Sequence, residues 1–262
     1  PSDDIWVRDH GPITVFEDHH RLLLDFRFNG WGGKYPSELD DSVTCTLHRK
    51  GAFGELPLAS IDLVLEGGAI DTDGQGSLLT TRSCLLNPNR NPGLGEPDIE
   101  RRLGELLGVE RIHWLAHGRL AGDDTDGHVD TLARFCAPGL IAWQGCEDRN
   151  DEHFEPLQQM GRELARLRDA RGQPCECIAL PLPAPILDER GQRLPAGYAN
   201  FLIINGAVLV PAYGDPADDR ACRILEDCFP GRSIVPIDCR PLIRQYGSLH
   251  CATMQLPKAP ES

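Results

Sequence analysis

Short apolar runs, interrupted at regular intervals by polar turns, dominate the chain. Residues 11–28 read as two strands, Ile13 to Phe16 and Leu22 to Phe26, joined by Glu17-Asp18-His19-His20. Residues 69–81 repeat the pattern around Asp73-Gly74-Gln75-Gly76, residues 129–143 around Pro138-Gly139, and residues 199–213 around Asn205-Gly206. Asp-Gly and Asn-Gly suit the positive φ that tight hairpin turns require. A helical stripe follows each hairpin. Phe154, Leu157, Met160, Leu164 and Leu167 recur at helical spacing before Gly172. Pro97 opens a helix with Ile99, Leu103 and Leu106 inward and Gly108 closing it; Asp215 is placed as the cap of another carrying Ala221, Leu225 and Cys228. The first unit's helix falls within 37–50 and is weakly patterned. Each helix then gives way to an apolar strand: 61–65, 111–115, 177–180 and 233–237.

The unit is therefore hairpin, helix, strand, with a period of roughly 60 residues. It occurs four times, and a fifth copy begins at Gly247. Units that each bury one face against a neighbour must stack or close into a ring, so a mixed α/β fold is expected.

Reactive residues fall in register with this repeat. Asp9, Glu66, the His128/Asp130 pair and Cys251 all lie where a unit's first strand begins, so a ring would bring them together near its axis. Read as extended chain, Asp130 shares a face with His128, the Cys251 thiol emerges at a strand mouth, and His250 points the other way. A thiol, an imidazole and three carboxylates are the parts needed to attack a guanidinium carbon. Carboxylates grip the planar cation, a thiolate attacks, and the imidazole moves protons to ammonia and from water. In that scheme Cys251 is the nucleophile, His128 the acid and base, Asp130 its orienter and a substrate contact, and Asp9 and Glu66 further clamps. Trp6 and Trp31 are suited to wall a pocket, Trp114 and Trp143 read as core, and Asp124 is placed to pair with a distal amine.

Composition narrows the alternatives. The net charge of −14 disfavours nucleic acid and suits a cationic ligand. No apolar run approaches the ~20 residues of a membrane span, and no secretory leader pattern opens the sequence. The ten cysteines lack the paired spacing of a structural zinc site and read as free thiols of a reducing, cytoplasmic compartment. Two other function classes remain open: a metal-dependent hydrolase using His128, Asp130 and Asp126, and a non-catalytic guanidine-binding module.

Several segments carry a resemblance across essentially the whole chain: Ile5-Trp6-Val7-Arg8-Asp9-His10-Gly11-Pro12, Phe28-Asn29-Gly30-Trp31-Gly32-Gly33, Leu65-Glu66-Gly67-Gly68, Cys84-Leu85-Leu86-Asn87-Pro88-Asn89-Arg90-Asn91-Pro92, Asp123-Asp124-Thr125-Asp126-Gly127-His128-Val129-Asp130 and Leu249-His250-Cys251. In these the chain resembles the agmatine deiminase family, including the bacterial peptidylarginine deiminase type, of the guanidine-modifying pentein superfamily. The resemblance implies a five-bladed α/β propeller forming a single catalytic domain over residues 1–262. It implies cofactor-free hydrolysis of agmatine to N-carbamoylputrescine and ammonia, in putrescine synthesis, without a metal. Its nucleophile falls on Cys251, its histidine on His128, and its carboxylates on Asp9, Glu66 and Asp130. A peptidylarginine deiminase is the close alternative. The expected partner is a small cationic guanidine, not nucleic acid or membrane, with homo-oligomerisation left open. His10 after the Arg-Asp pair and Tyr246 to Leu249 before His250 depart from the family pattern beside the site. Family members also carry a further stretch before the segment at Trp6, so the resemblance implies an incomplete fifth blade here.

Overall fold

The computed structural model describes residues 1–258. It is a mixed α/β fold of four small three-stranded sheets, and each sheet is one unit of the repeat. The strands are β1 Ile13–Glu17, β2 His20–Arg27 and β3 Leu58–Val64; β4 Ile70–Thr72, β5 Ser77–Thr81 and β6 Arg111–Leu115; β7 Ala133–Ala137, β8 Leu140–Gln144 and β9 Glu176–Leu180; and β10 Leu202–Ile204, β11 Ala207–Ala212 and β12 Ser233–Asp238. In every sheet the first two strands form an antiparallel hairpin and the third joins the second in parallel. The parallel partner requires a crossover, and the helices supply it.

Those helices bury the expected faces. Glu96–Leu107 turns Ile99 and Leu103 inward and ends at Gly108 with φ 68°. Phe154–Leu164 buries Leu157, Met160 and Leu164, and Ala217–Cys228 buries Ala221, Leu225 and Cys228. Each core is shared between consecutive sheets. Leu24 and Phe26 of the first sheet pack with Leu78 of the second; Leu79 of the second packs with Ile141 of the third; Ala142 of the third packs with Val208 of the fourth. No unit completes its own core, so the units are held in series.

Several expectations change. The first crossover contains two short helices, Glu38–Asp41 and Val43–Arg49, which explains its weak pattern. The 154–167 stripe outlasts its helix, because Leu167 already belongs to a turn whose chain pairs Arg168 with Pro174. Pro216, not Asp215, stands at the cap position, and the Asp215 carboxylate accepts from the Ala217 N–H at 2.8 Å. Trp114 and Trp143 are half-buried, and the Trp114 indole N–H donates to Glu100. After Gly247 no strand forms among the described residues: Cys251 lies in a turn, not at a strand mouth. No described helix is long and apolar enough to cross a membrane.

Candidate active site

The functional side chains sit just ahead of the hairpins, on short turns. Asp9 lies in the single-turn helix Val7–His10 before β1. Glu66 precedes a 3-10 turn, Gly67–Ala69, before β4. His128 and Asp130 flank the start of a second 3-10 turn, Val129–Thr131, before β7. His128 and Asp130 are therefore not related as strand neighbours. The loop that delivers them is built locally: Asp123 accepts from the Thr125 and Gly127 N–H groups, and the Thr125 hydroxyl accepts from the His128 N–H. Asp126 and Gly127 both take positive φ to make that bend.

Asp9 is buried and doubly held. The Trp31 indole N–H donates to Oδ2 at 2.9 Å, and the Gly68 N–H donates to Oδ1 at 3.0 Å. Burial nevertheless raises its pKa to about 6. Trp31 reaches it from the turn Gly30–Gly33, in which all four residues have positive φ. His128 Nδ1 stands 3.6 Å from Asp9 Oδ1, and burial lowers the imidazole pKa, keeping the ring neutral at ordinary pH. Gly68 is obligatory here for space: a Cβ would lie 2.6 Å from His128 Nδ1 and 2.7 Å from Asp9 Oδ1.

Asp130, wholly buried, meets His250 Nδ1 at 2.8 Å, and the Cys251 thiol lies 3.8 Å from the same oxygen. His250 and Cys251 thus converge on one carboxylate, contrary to the extended-chain expectation. Burial, then the charge of Asp9, pushes Asp130 up to about 8. Burial and the two carboxylates push the Cys251 thiol well above its ordinary value, so without an added cation it is neutral.

Glu66 is placed differently from a clamp. Its carboxylate is fully buried and receives Arg90 Nε at 2.6 Å, while Arg90 also donates to Asp126 Oδ2 and to the Thr125 carbonyl. A Glu66 oxygen lies within 4.8 Å of a His128 ring nitrogen, and Glu66 is not among the residues that line the cavity at Cys251. Asp126 is taken up by Arg90, Lys34 and Asn89. The alternative ligand set of His128, Asp130 and Asp126 is therefore not assembled around one ion.

A cavity of about 260 Å³ opens onto Cys251 and Asp9, between Trp6 and Trp31, with Asp4, Tyr35, Asp124 and Arg244 among its lining. Asp124 accepts from the Tyr35 hydroxyl at 2.7 Å. Gly247 gives the Trp6 ring its place, since a Cβ there would come 2.6 Å from the indole.

One polar residue escaped the sequence reading. Asn200 accepts from the His250 N–H at 2.9 Å, donates to the Asp130 carbonyl at 3.2 Å and stands 3.5 Å from the Cys251 sulfur. It occupies the fourth unit's entry, two residues before β10, close to the place that Asp9, Glu66 and Asp130 hold ahead of β1, β4 and β7. That register was the available signal.

A family model for Porphyromonas-type peptidyl-arginine deiminase matches residues 1–257. The chain belongs to this family. Among its relatives in the peptidyl-arginine deiminase family, the agmatine deiminase of Stutzerimonas stutzeri is 40% identical over 289 residues, covering 98% of this chain and 75% of that protein. Among solved structures, a candidate arginine deiminase from Porphyromonas gingivalis is 50% identical with a TM-score of 0.95, covering 99% of this chain and 77% of that one. C. jejuni agmatine deiminase with substrate bound is 43% identical with a TM-score of 0.88, covering 94% and 72%. The fold alone reaches further, to SxtG, an amidinotransferase from Microseira wollei, 12% identical with a TM-score of 0.59 over 97% of this chain and 69% of that one.

Proposed function

We propose that the chain is an agmatine deiminase, hydrolysing agmatine to N-carbamoylputrescine and ammonia through a covalent adduct on Cys251. The observation that carries this reading is the cavity, whose lining brings together the Cys251 thiol, the Asp9 carboxylate, the Trp6 and Trp31 indoles and the acids Asp4 and Asp124. Agmatine matches it, with a guanidinium at one end, a flexible apolar stem and an ammonium at the other.

The guanidinium enters beside Asp9 and Asp130, whose carboxylates grip its N–H edges. Its positive charge offsets the two acids that otherwise hold the Cys251 proton, so substrate arrival itself favours the thiolate. The Cys251 proton passes to the neutral His128, and the sulfur attacks the guanidinium carbon to form a tetrahedral adduct. His128 donates a proton to one nitrogen, the C–N bond breaks and ammonia leaves, with a thiouronium remaining on Cys251. The now neutral His128 takes a proton from water, hydroxide adds to the same carbon, and the C–S bond breaks. The adduct's hydroxyl proton goes to the departing sulfur and restores the thiol, N-carbamoylputrescine leaves, and His128 gives the proton it took from water to solvent. Asn200 and His250 position Asp130 and the thiol. Glu66, fixed by Arg90, favours the imidazolium that forms mid-reaction, a positioning role in place of the expected clamp.

The same reading includes a single catalytic domain over residues 1–262, of which 259–262 lie outside the described residues. It also includes a five-bladed pentein arrangement, a small cationic guanidine as substrate partner, and a place in putrescine synthesis. All ten cysteines are free thiols, which supports a cytoplasmic setting. Peptidylarginine is the second substrate class, favoured by the family's description. Ammonia release from agmatine, free arginine and arginyl peptides, with Cys251→Ala as control, tests the proposal. Release from peptides alone would move the assignment to peptidylarginine, and binding without release would make the protein a guanidine-binding module.

A further inference from the structure

Beside His128, among residues that do not line the cavity, three potential ligands of different chemistry meet. Glu66, Cys84 and His128 are all buried, and one ligating atom from each lies within 4.8 Å of the others. Two of these side chains have unused capacity: Glu66 Oε2 and His128 Nε2 have no hydrogen-bond partner among the described residues. The opposite Glu66 oxygen is occupied by Arg90, and His128 Nδ1 faces Asp9. The free atoms are therefore the ones that Arg90 and Asp9 leave unoccupied. Cys84 has no role in that chemistry. It follows Thr81, whose hydroxyl caps the short helix Arg82–Leu85 through the Cys84 N–H and donates to the Gly127 carbonyl just ahead of His128. This fixes the thiol's helix against the loop that carries the imidazole.

We propose that Glu66, Cys84 and His128 form an inhibitory binding site for a thiophilic divalent cation of the zinc class. Nitrogen, sulfur and oxygen ligands suit that ion, and three protein ligands leave a fourth position for water. Binding releases the Cys84 proton to solvent, so the thiolate offsets one of the ion's charges, while the Glu66 carboxylate is shared between the ion and Arg90. Tetrahedral zinc sets its ligand atoms roughly 3.3–3.8 Å apart, so the three side chains close by at most roughly 1–1.5 Å on binding. The consequence is direct: a His128 nitrogen bonded to the ion ties up the ring that must give and take protons. Because the site is buried, inhibition develops with time and reverses on chelation.

The inhibition arm rests on the deiminase reading, so a second arm reads binding without turnover. In the first, ammonia release by the full chain is followed after incubation with buffered free zinc. Cys84→Ala keeps its zinc-free rate and raises the half-inhibitory zinc concentration by at least about tenfold, the scale of losing a ligand or its support. In the second, cobalt(II) is titrated into Cys251→Ser, which removes the neighbouring thiol. A thiolate-to-cobalt charge-transfer band saturates at one equivalent and is absent from Cys251→Ser/Cys84→Ala. Should alanine at 84 fail to fold, Cys84→Ser serves in both arms. Equal zinc sensitivity with and without the Cys84 thiol, or a cobalt band indifferent to it, overturns the proposal. A protein inactive without zinc but showing the Cys84-dependent band would instead count against the deiminase reading alone.

Discussion

Replacing Arg90 by methionine should unfold more than it appears to touch. Arg90 and Glu66 are both fully buried, and the Glu66 oxygen receives the guanidinium Nε at 2.6 Å. Removing the cation leaves a carboxylate charge without a partner, a change that costs about 3–5 kcal/mol when the site is dry. The second ion pair lost, to Asp126, adds about 1 kcal/mol at most, because Asp126 is 22% exposed and keeps Lys34. Against a total stability of roughly 5–15 kcal/mol this is a large fraction. The double variant Glu66→Gln/Arg90→Met removes both charges and should recover most of the loss, giving a coupling of about 2–4 kcal/mol. Urea unfolding followed by tryptophan fluorescence measures all four corners of the cycle. Ammonia release should separate the two quantities: the double variant regains stability but not turnover, since His128 has lost the carboxylate that favours its charged form. A single variant within about 1 kcal/mol of wild type, or a double variant no more stable than the single, would refute the argument that this pair is held by mutual compensation.

Three further outcomes are expected. Cys251→Ala should abolish ammonia release while shifting stability by no more than about 1–2 kcal/mol, because one small buried side chain replaces another; residual turnover would move the attacking group elsewhere. Gly68→Ala should lower kcat/KM by about 100-fold or more with a modest fall in Tm, since its Cβ would press on His128 and Asp9 at 2.6 and 2.7 Å; unchanged kinetics would mean that these contacts do not set the geometry. Asp9 and Asp130 are held at about 6 and about 8, above their unfolded values, so the stability they contribute is complete below about pH 4 and is lost as pH rises through those values. A bound guanidinium favours their ionised forms, so Cys251→Ala should release protons on binding agmatine and bind it more tightly toward pH 8. Calorimetry in two buffers of different ionisation enthalpy reads this, and proton uptake would contradict it.

The repeat was legible because its punctuation is chemical. Asp73-Gly74 and Asn205-Gly206 mark turns that few other pairs make, and β6 spans the residues its apolar run predicts. The site's membership was legible for charged residues at unit entries and opaque for Asn200, whose amide carries no charge or nucleophile to draw notice. Roles were harder. The residue that pairs with the Glu66 carboxylate is Arg90, 24 positions away, and only packing reveals the pair. His250 was misplaced because the segment is a turn, so the alternation of a strand does not apply.

The Arg8 N–H donates to the Cys251 carbonyl, and the Arg8 side chain reaches the carbonyl of His250, 242 positions along the chain. Joining such distant segments requires closing a very long loop, and entropy delays contacts of that kind in folding. The thiol is also the last of the reactive groups to be synthesised. Its docking beside Asp9 should therefore be the final step of maturation, with deiminase activity appearing in refolding only after the sheets have already formed.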